Sequence, residues 1–456
     1  MTSTRCPTLL VAAPASGQGK TTVTAAMARL LTRRGKRVRV FKCGPDFLDP
    51  QWHALASGHP VHNLDLWLNG EDDLLARLHE AAGQSDLILI EGVMGLFDGD
   101  PSAADLAIRL GLPVLAVIDA SAMAGTFGAV VHGLRHYRSS LRWAGVLANR
   151  VAGAGHAHML QASVQPETAM DVMDPKIADV DAGWLGALPR SVDFSMPERH
   201  LGLTLAGELP DAMKRLDALA DALAATPLGQ LDEAGWQRWS VEFNAPERAS
   251  VASVLVGRKI AVARDAAFCF IYQANLDVLQ DLGAQLRYFS PLTDSTLPDC
   301  DALWLPGGYP ELHADTLQKN TGMRECIRQH AQAGKPIWAE CGGMMALFDA
   351  LVQNDGTVHA MWGVLPGRTR MQPRLARLGP QQLVLPEGVL RGHTFHYSLS
   401  ETLLNPAGHT SKPNTAVADG GEAVYQQGAV RASYFHPWFA SNPAAAASLF
   451  MSQEPR

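Results

Sequence analysis

The hydrophobic pattern falls into two series of alternating runs. In the first, the short apolar runs "TLLVAAP", "RVRVFKCGPD", "DLILIEGVMG", "PVLAVIDA" and "WAGVLANRV" alternate with helix-like stretches, beginning with "TTVTAAMARLLTRRG". Nearly continuous Val, Ile and Leu in runs this short marks strands buried on both faces. Their alternation with amphipathic helices predicts a parallel sheet covered on each side. After Leu203, residues Ala212, Met213, Leu216, Leu219, Ala220 and Leu223 recur at helical spacing, with Pro210 placed at the helix start. The stretch 230–254 is polar and poorly periodic, and a domain junction is expected near 244–256.

A second alternating series then opens with "KIAVARD", "AQLRYFSP", "ALWLPGG" and "PIWAECGG", predicting another open α/β sheet. The C-terminal stretch reads as richer in strands, with "GHTFHYS" and "ASYFHPW" as strand-to-loop candidates. The fold class expected is α/β in two domains, residues 1–245 and 246–456.

Bulk properties narrow the class. At 456 residues the chain is too long for one core, and 47% hydrophobic with 18% charged residues fits a globular protein. A net charge of -7 argues against a general nucleic-acid binder. The six cysteines form no CxxC pair, which suits a reducing cytoplasm and excludes a disulfide framework. The start, "TRCPTLLVAAPA", superficially resembles a signal peptide, but cleavage there would remove the strand that a phosphate loop requires. No apolar run is long enough to span a membrane.

Candidate chemistry appears at the strand ends. "APASGQGKTT" (13–22) lies between a strand and a helix, and its G-K-T ending is that of a P-loop. Gly17, Gly19, Lys20, Thr21 and Thr22 would cradle ATP phosphates with backbone N–H groups, and Lys20 would bridge the terminal phosphates. Pro14 stands where the pattern's first glycine belongs. Hard oxygen ligands for Mg²⁺ are expected from Thr21 with Asp46 and Glu91, each of the latter closing an apolar run. Asp98 lies just beyond. Either carboxylate could instead cap a turn, and Asn149 could read adenine or simply end its strand.

"PIWAECGGMMALFDAL" reads as strand, sharp turn and helix around Cys341, with Ala339 and Gly343 small enough for a nucleophile elbow. A helix N-terminus is expected to lower the thiol pKa. The Gly307–Gly308 turn, together with the amide of Gly342, could hold an oxyanion. His436, His393 and His396 are the candidate bases.

These residues carry a resemblance. "PGGYPE", "AECGGMM" and "SYFHPW" resemble a class I glutamine amidotransferase domain of the corrinoid amide-forming branch. "GQGKTT", "GPDFLDPQWH", "NLDLW", "EGVMGLFDG" and "PERHLGL" resemble its dethiobiotin-synthetase-like, ATP-dependent partner. In this order, and with "AFCFIYQANLD", the chain is similar to the cobyrinate a,c-diamide synthase family. The resemblance implies Cys341 as nucleophile and His436 as its histidine. It implies a ligase that spends ATP with Mg²⁺ to amidate a cobyrinate-type tetrapyrrole with nitrogen from L-glutamine, ammonia passing between the domains. Phe47, Leu48, His53, Asp98, Arg199 and His200 become the candidate acceptor-binding residues. The usual glutaminase triad reads H-P-E, whereas this chain reads His436-Pro437-Trp438, so what orients the imidazole is open. Open too are a metal-free ring or sirohydrochlorin as acceptor, assembly as a homodimer, cobyric acid synthase activity, and a ParA-like switch. The last is disfavoured by Ala15 in place of a signature lysine.

Overall fold

The computed structural model describes residues 3–164, 183–193, 196, 198–199, 202–203, 206–246, 252–413, 415 and 421–452. The chain divides into two compact units: one of residues 1–66 and 74–248, the other of 67–73 and 249–456.

The first unit is built on seven parallel strands, β1 (Ser3–Ala12), β2 (Val38–Cys43), β3 (His62–Leu64), β4 (Leu87–Glu91), β5 (Pro113–Asp119), β6 (Arg142–Val151) and β7 (Trp184–Pro189). Their order across the sheet is β3-β2-β4-β1-β5-β6-β7. Strand β1 is therefore central, and alternate residues feed opposite cores: Leu10 and Ala12 pack on one face, Leu9 and Val11 on the other. This is why its sequence is apolar throughout instead of alternating. Helix α1 (Lys20–Arg33) follows β1 directly and buries Val23, Met27, Leu30 and Leu31 against the sheet. The helical spacing after Leu203 becomes the helix Ala212–Ala224, with Leu216, Leu219, Ala220 and Leu223 buried and Met213 left partly exposed.

The polar stretch after Gln230 is more ordered than its weak periodicity suggested. It holds a short helix, Glu233–Gln237, and a strand, Ser240–Asn244. That strand pairs antiparallel with the first half of β1, Ser3 opposite Asn244 and Pro7 opposite Ser240.

The second unit has a seven-stranded sheet. Gln285–Phe289, Lys259–Ala263, Ala302–Leu305, Ile337–Glu340 and Val430–Ser433 run parallel in that spatial order, and Ala423–Gln427 and Gly408–His409 extend it antiparallel. A smaller sheet carries Arg377–Leu385, Gly388–His396 and the two-residue strand His436–Pro437. Hence "GHTFH" and "FHP" are neighbours, His393 opposite His436. Among the described residues no helix is long and apolar enough to cross a membrane.

Candidate active sites

The loop after β1 turns through Gly17 and Gly19, whose positive φ values of 77° and 96° suit glycine alone. Asn149, at the end of β6, donates its side-chain amide to the Gln18 carbonyl at 2.9 Å, and a side chain at Gly19 would overlap it. Gln18 in turn accepts from the Asp119 amide at 2.8 Å. Arg150 bonds the Gly17 carbonyl at 3.1 Å and the Asp119 carboxylate at 2.6 Å. Neighbouring strand ends thus brace the loop, and Asn149 commits its amide to that bracing.

Lys20 bends back over the loop to donate to the Met94 carbonyl at 2.6 Å, and burial and the charge of Lys42 lower its pKa. Thr21 donates to Glu91 at 2.8 Å, whereas Thr22, half-buried on the next position of α1, lies beside it in the first turn. Glu91 is buried, and burial alone would raise its pKa. The Lys42 ammonium at 3.0 Å and a very short contact from His53 pull it below the usual carboxylate range.

Lys42 is the residue missed in the sequence. It emerges from β2 buried among Glu91, Asp49 at 2.8 Å and Asp46 at 3.8 Å. Burial would lower its pKa, but the three carboxylates hold it well above its ordinary value. Burial pushes Asp49 up to about 8 despite Lys42 beside it. Asp46 accepts from the Leu48 and Asp49 amides through Oδ1, the turn role left open by the sequence, while Oδ2 faces Lys42. A charged residue inside the apolar run "RVFKC" was the available signal, since a buried lysine requires carboxylate partners.

The acceptor residues expected from the sequence are not gathered equally. Phe47 and Leu48 are half-buried in the turn after Asp46, and Asp98 is exposed, accepting from the Gly95 amide at 2.8 Å. His53 is a correction: it is fully buried and faces Glu91, because its place on the helix Asp49–Ser57 turns it toward the carboxylate cluster. His200 lies outside the described residues, and Arg199 is described only by its backbone, in the two-residue strand Glu198–Arg199.

In the second unit, Cys341 sits between the strand Ile337–Glu340 and the helix Gly342–Leu347 with φ 44° and ψ -106°. Positive φ on a non-glycine residue is strain of about 1–3 kcal/mol, retained where the surroundings fix it. Here the Cys341 amide donates to the Ser433 carbonyl at 2.7 Å. A side chain at Gly343 would overlap the Leu305 backbone. One at Gly342 would stand 2.9 Å from the Gly308 amide nitrogen, and one at Gly307 would overlap the His436 imidazole. The glycine turn, the elbow and the histidine are therefore adjacent.

The expected lowering of the Cys341 pKa is not found. Burial, and then the charge of Glu311, push the thiol up, because the helix is short and the site is closed to water. Glu311 follows the glycine turn, and its own carboxyl is raised to about 7 by burial.

Glu340 answers the question left by His436-Pro437-Trp438. Its Oε2 lies 3.3 Å from His436 Nδ1, and its Oε1 accepts from the indoles of Trp304 and Trp338, each at 2.8 Å. The carboxylate facing the imidazole thus comes from the position before Cys341. Burial raises the Glu340 pKa, against the pull of His436. Asn275, in the "YQANLD" run, bonds the Pro437 carbonyl and the Phe439 amide, each at 2.8 Å, and fixes the histidine loop.

His393 stacks on His436 at 5.1 Å between ring centres and contacts the Tyr272 hydroxyl at 3.1 Å. Burial holds its pKa well below the ordinary value, so it is neutral. His396 belongs to a separate buried network with Glu422 and Tyr434.

Residues 9–203 match the CobQ/CobB/MinD/ParA nucleotide binding domain, and 259–444 match the CobB/CobQ-like glutamine amidotransferase domain. A hydrogenobyrinate a,c-diamide synthase of Stutzerimonas stutzeri is 57% identical over 98% of this chain and 99% of its own. One from Pseudomonas aeruginosa is 54% identical over 98% of each chain. A cobyrinate a,c-diamide synthase of Herminiimonas arsenicoxydans is 46% identical over 97% of this chain and 96% of its own. With both domains matched in order and such identity along almost its whole length, the chain belongs to the family of hydrogenobyrinate and cobyrinate a,c-diamide synthases.

Proposed function

We propose that this protein consumes ATP to amidate the a and c acetate side chains of a corrin-type ring acid, with nitrogen released from glutamine at Cys341. The observation that carries the reading is the strained Cys341 elbow beside the His436–Glu340 pair, in one chain with the Lys20–Thr21–Glu91 phosphate site.

Because its thiol is held high, Cys341 must lose its proton to a neighbour, and His436, oriented by Glu340, accepts it. The thiolate attacks the side-chain amide carbon of glutamine, and the resulting oxyanion stands against the Gly308 and Gly342 amides. His436 returns the proton to nitrogen, ammonia leaves, and a thioester remains. Water, deprotonated by His436, cleaves it to glutamate and free thiol.

A carboxylate is a poor electrophile and needs activation. The loop amides from Gly17 to Thr22 and the Lys20 ammonium hold the phosphates of ATP while an acceptor oxygen attacks the γ-phosphorus and ADP leaves. Ammonia then attacks the acyl phosphate at carbon and phosphate departs. Thr21, Asp46 and Glu91 carry hard oxygen donors and would hold magnesium, which would supply neutralisation of phosphate charge. Phe47, Leu48, Asp98, Arg199 and His200 are proposed to line the acceptor site.

The relatives at 57% and 54% identity are named for the metal-free ring, which favours hydrogenobyrinate as acceptor over cobyrinate. Incubation with ATP, glutamine and each acid, read by product mass, tests both points. Diamide from hydrogenobyrinate with two ATP consumed per ring is expected. No ATP consumption with either acid would overturn the proposal.

A further inference from the structure

Residues 67–73 follow β3 and lead into the helix Glu71–Gln84, yet they cluster with the second unit. Their contacts converge on the strands that hold His436. The Asn69 carbonyl accepts from the Arg391 guanidinium at 2.8 Å, and that guanidinium lies 5.8 Å from the Trp67 ring centre. The Asp73 carboxylate accepts from the Trp438 indole at 3.3 Å and from the Asn69 side-chain amide at 2.7 Å. Gly70, at φ 70°, lets the backbone approach: a side chain there would stand 3.0 Å from the guanidinium. Leu68 and Asn69 are buried.

Both gripped residues adjoin the catalytic histidine. Arg391 precedes the Gly392–His393 pair that ladders with Pro437 and His436, and its carbonyl accepts from the Trp438 amide at 2.7 Å. Trp438 is two residues after His436, fully buried, with its ring edge-on to Tyr272. We propose that residues 67–73 are a positioning strap for His436, with Asn69 and Asp73 holding Arg391 and Trp438 so that the imidazole keeps its line to Glu340 and Cys341. Glutamine cleavage thereby depends on a segment covalently continuous with the nucleotide-binding unit. The inference rests on the glutaminase reading above.

The test uses the full chain. Asp73→Ala, Asp73→Asn, Trp438→Phe and the Asp73→Ala/Trp438→Phe double variant are assayed for glutamate release from glutamine, and for amidation driven by ammonium chloride. Asp73→Ala is expected to lower kcat for glutamine about tenfold with KM within about twofold, since misplaced reacting groups cost rate more than binding. Ammonia-driven amidation should be unchanged. Asp73→Asn should recover most of the loss, because its amide oxygen still accepts the indole N–H. Trp438→Phe should mimic Asp73→Ala, and the double variant should lose no more than either. Variants matching the wild type, equal losses with both nitrogen sources, or additive losses would overturn the strap. A wild type that releases no glutamate would instead overturn the glutaminase reading.

Discussion

At the residue scale, one carboxylate faces His436 where the usual glutamate after the histidine is replaced by Trp438. Glu340 reaches His436 from the position before the nucleophile, and two indoles occupy its other oxygen. Glu340→Gln keeps the indole contacts but removes the charge that stabilises the imidazolium. Glutamine-driven amidation should fall about 10²- to 10⁴-fold with ammonia-driven amidation intact, measured as product at saturating glutamine or ammonium. Cys341→Ala should abolish the first and preserve the second. A variant losing both would place Cys341 outside nitrogen release. The elbow at Cys341 was legible because small flanking residues and a strand-turn-helix pattern announce one, whereas His436 was one of three candidate histidines and only the resemblance singled it out. Glu340 was hidden because a carboxylate in "WAEC" carries no spacing signal, and only the fold brings position 436 to it.

Among the elements, β2 and its following turn show the same asymmetry. That "VRVFKC" forms a buried strand was readable from its apolar run, and the meaning of Lys42 within it was not, since its three partners lie on separate segments. Lys42→Met would leave Glu91 and Asp49 without their cation in a site closed to water. Removing one partner of such a pair typically costs about 3–5 kcal/mol. A fall of several degrees in Tm, with loss of ATP-dependent turnover, is expected by thermal scan and kinetics. Unchanged Tm would show that the carboxylates find another partner. His53 was misjudged for a related reason: helix phase, which a nine-residue helix with little apolar contrast does not announce, turns it inward.

For the whole molecule, buried neutral histidines set the acid limit. Burial lowers His330 to about 4, from an ordinary value near 6.5. Its folded form resists a proton that the unfolded chain accepts, so this contribution is complete above about pH 6.5 and is lost as pH falls toward 4. It amounts to roughly 3 kcal/mol. His393 is shifted the same way. Unfolding midpoints in denaturant should drop across that window, and His330→Gln should make the slope shallower by about one proton. An identical slope would mean that His330 is not the group titrating.

The two-part division was visible in the repeated alternation of runs, because burial on both faces leaves a compositional trace. The pairing of Ser240–Asn244 with β1 left none, because its two core residues, Val241 and Phe243, are too few to set a readable period in a polar stretch. That clasp has a practical consequence. The parallel neighbours of β1 engage it only from Thr8 onward. A nucleotide-binding half cut before position 240 would bare the opening residues of its central strand, offering an unsatisfied edge to any other chain in solution. Such a fragment should clump, whereas one carried through residue 246 should stay dispersed.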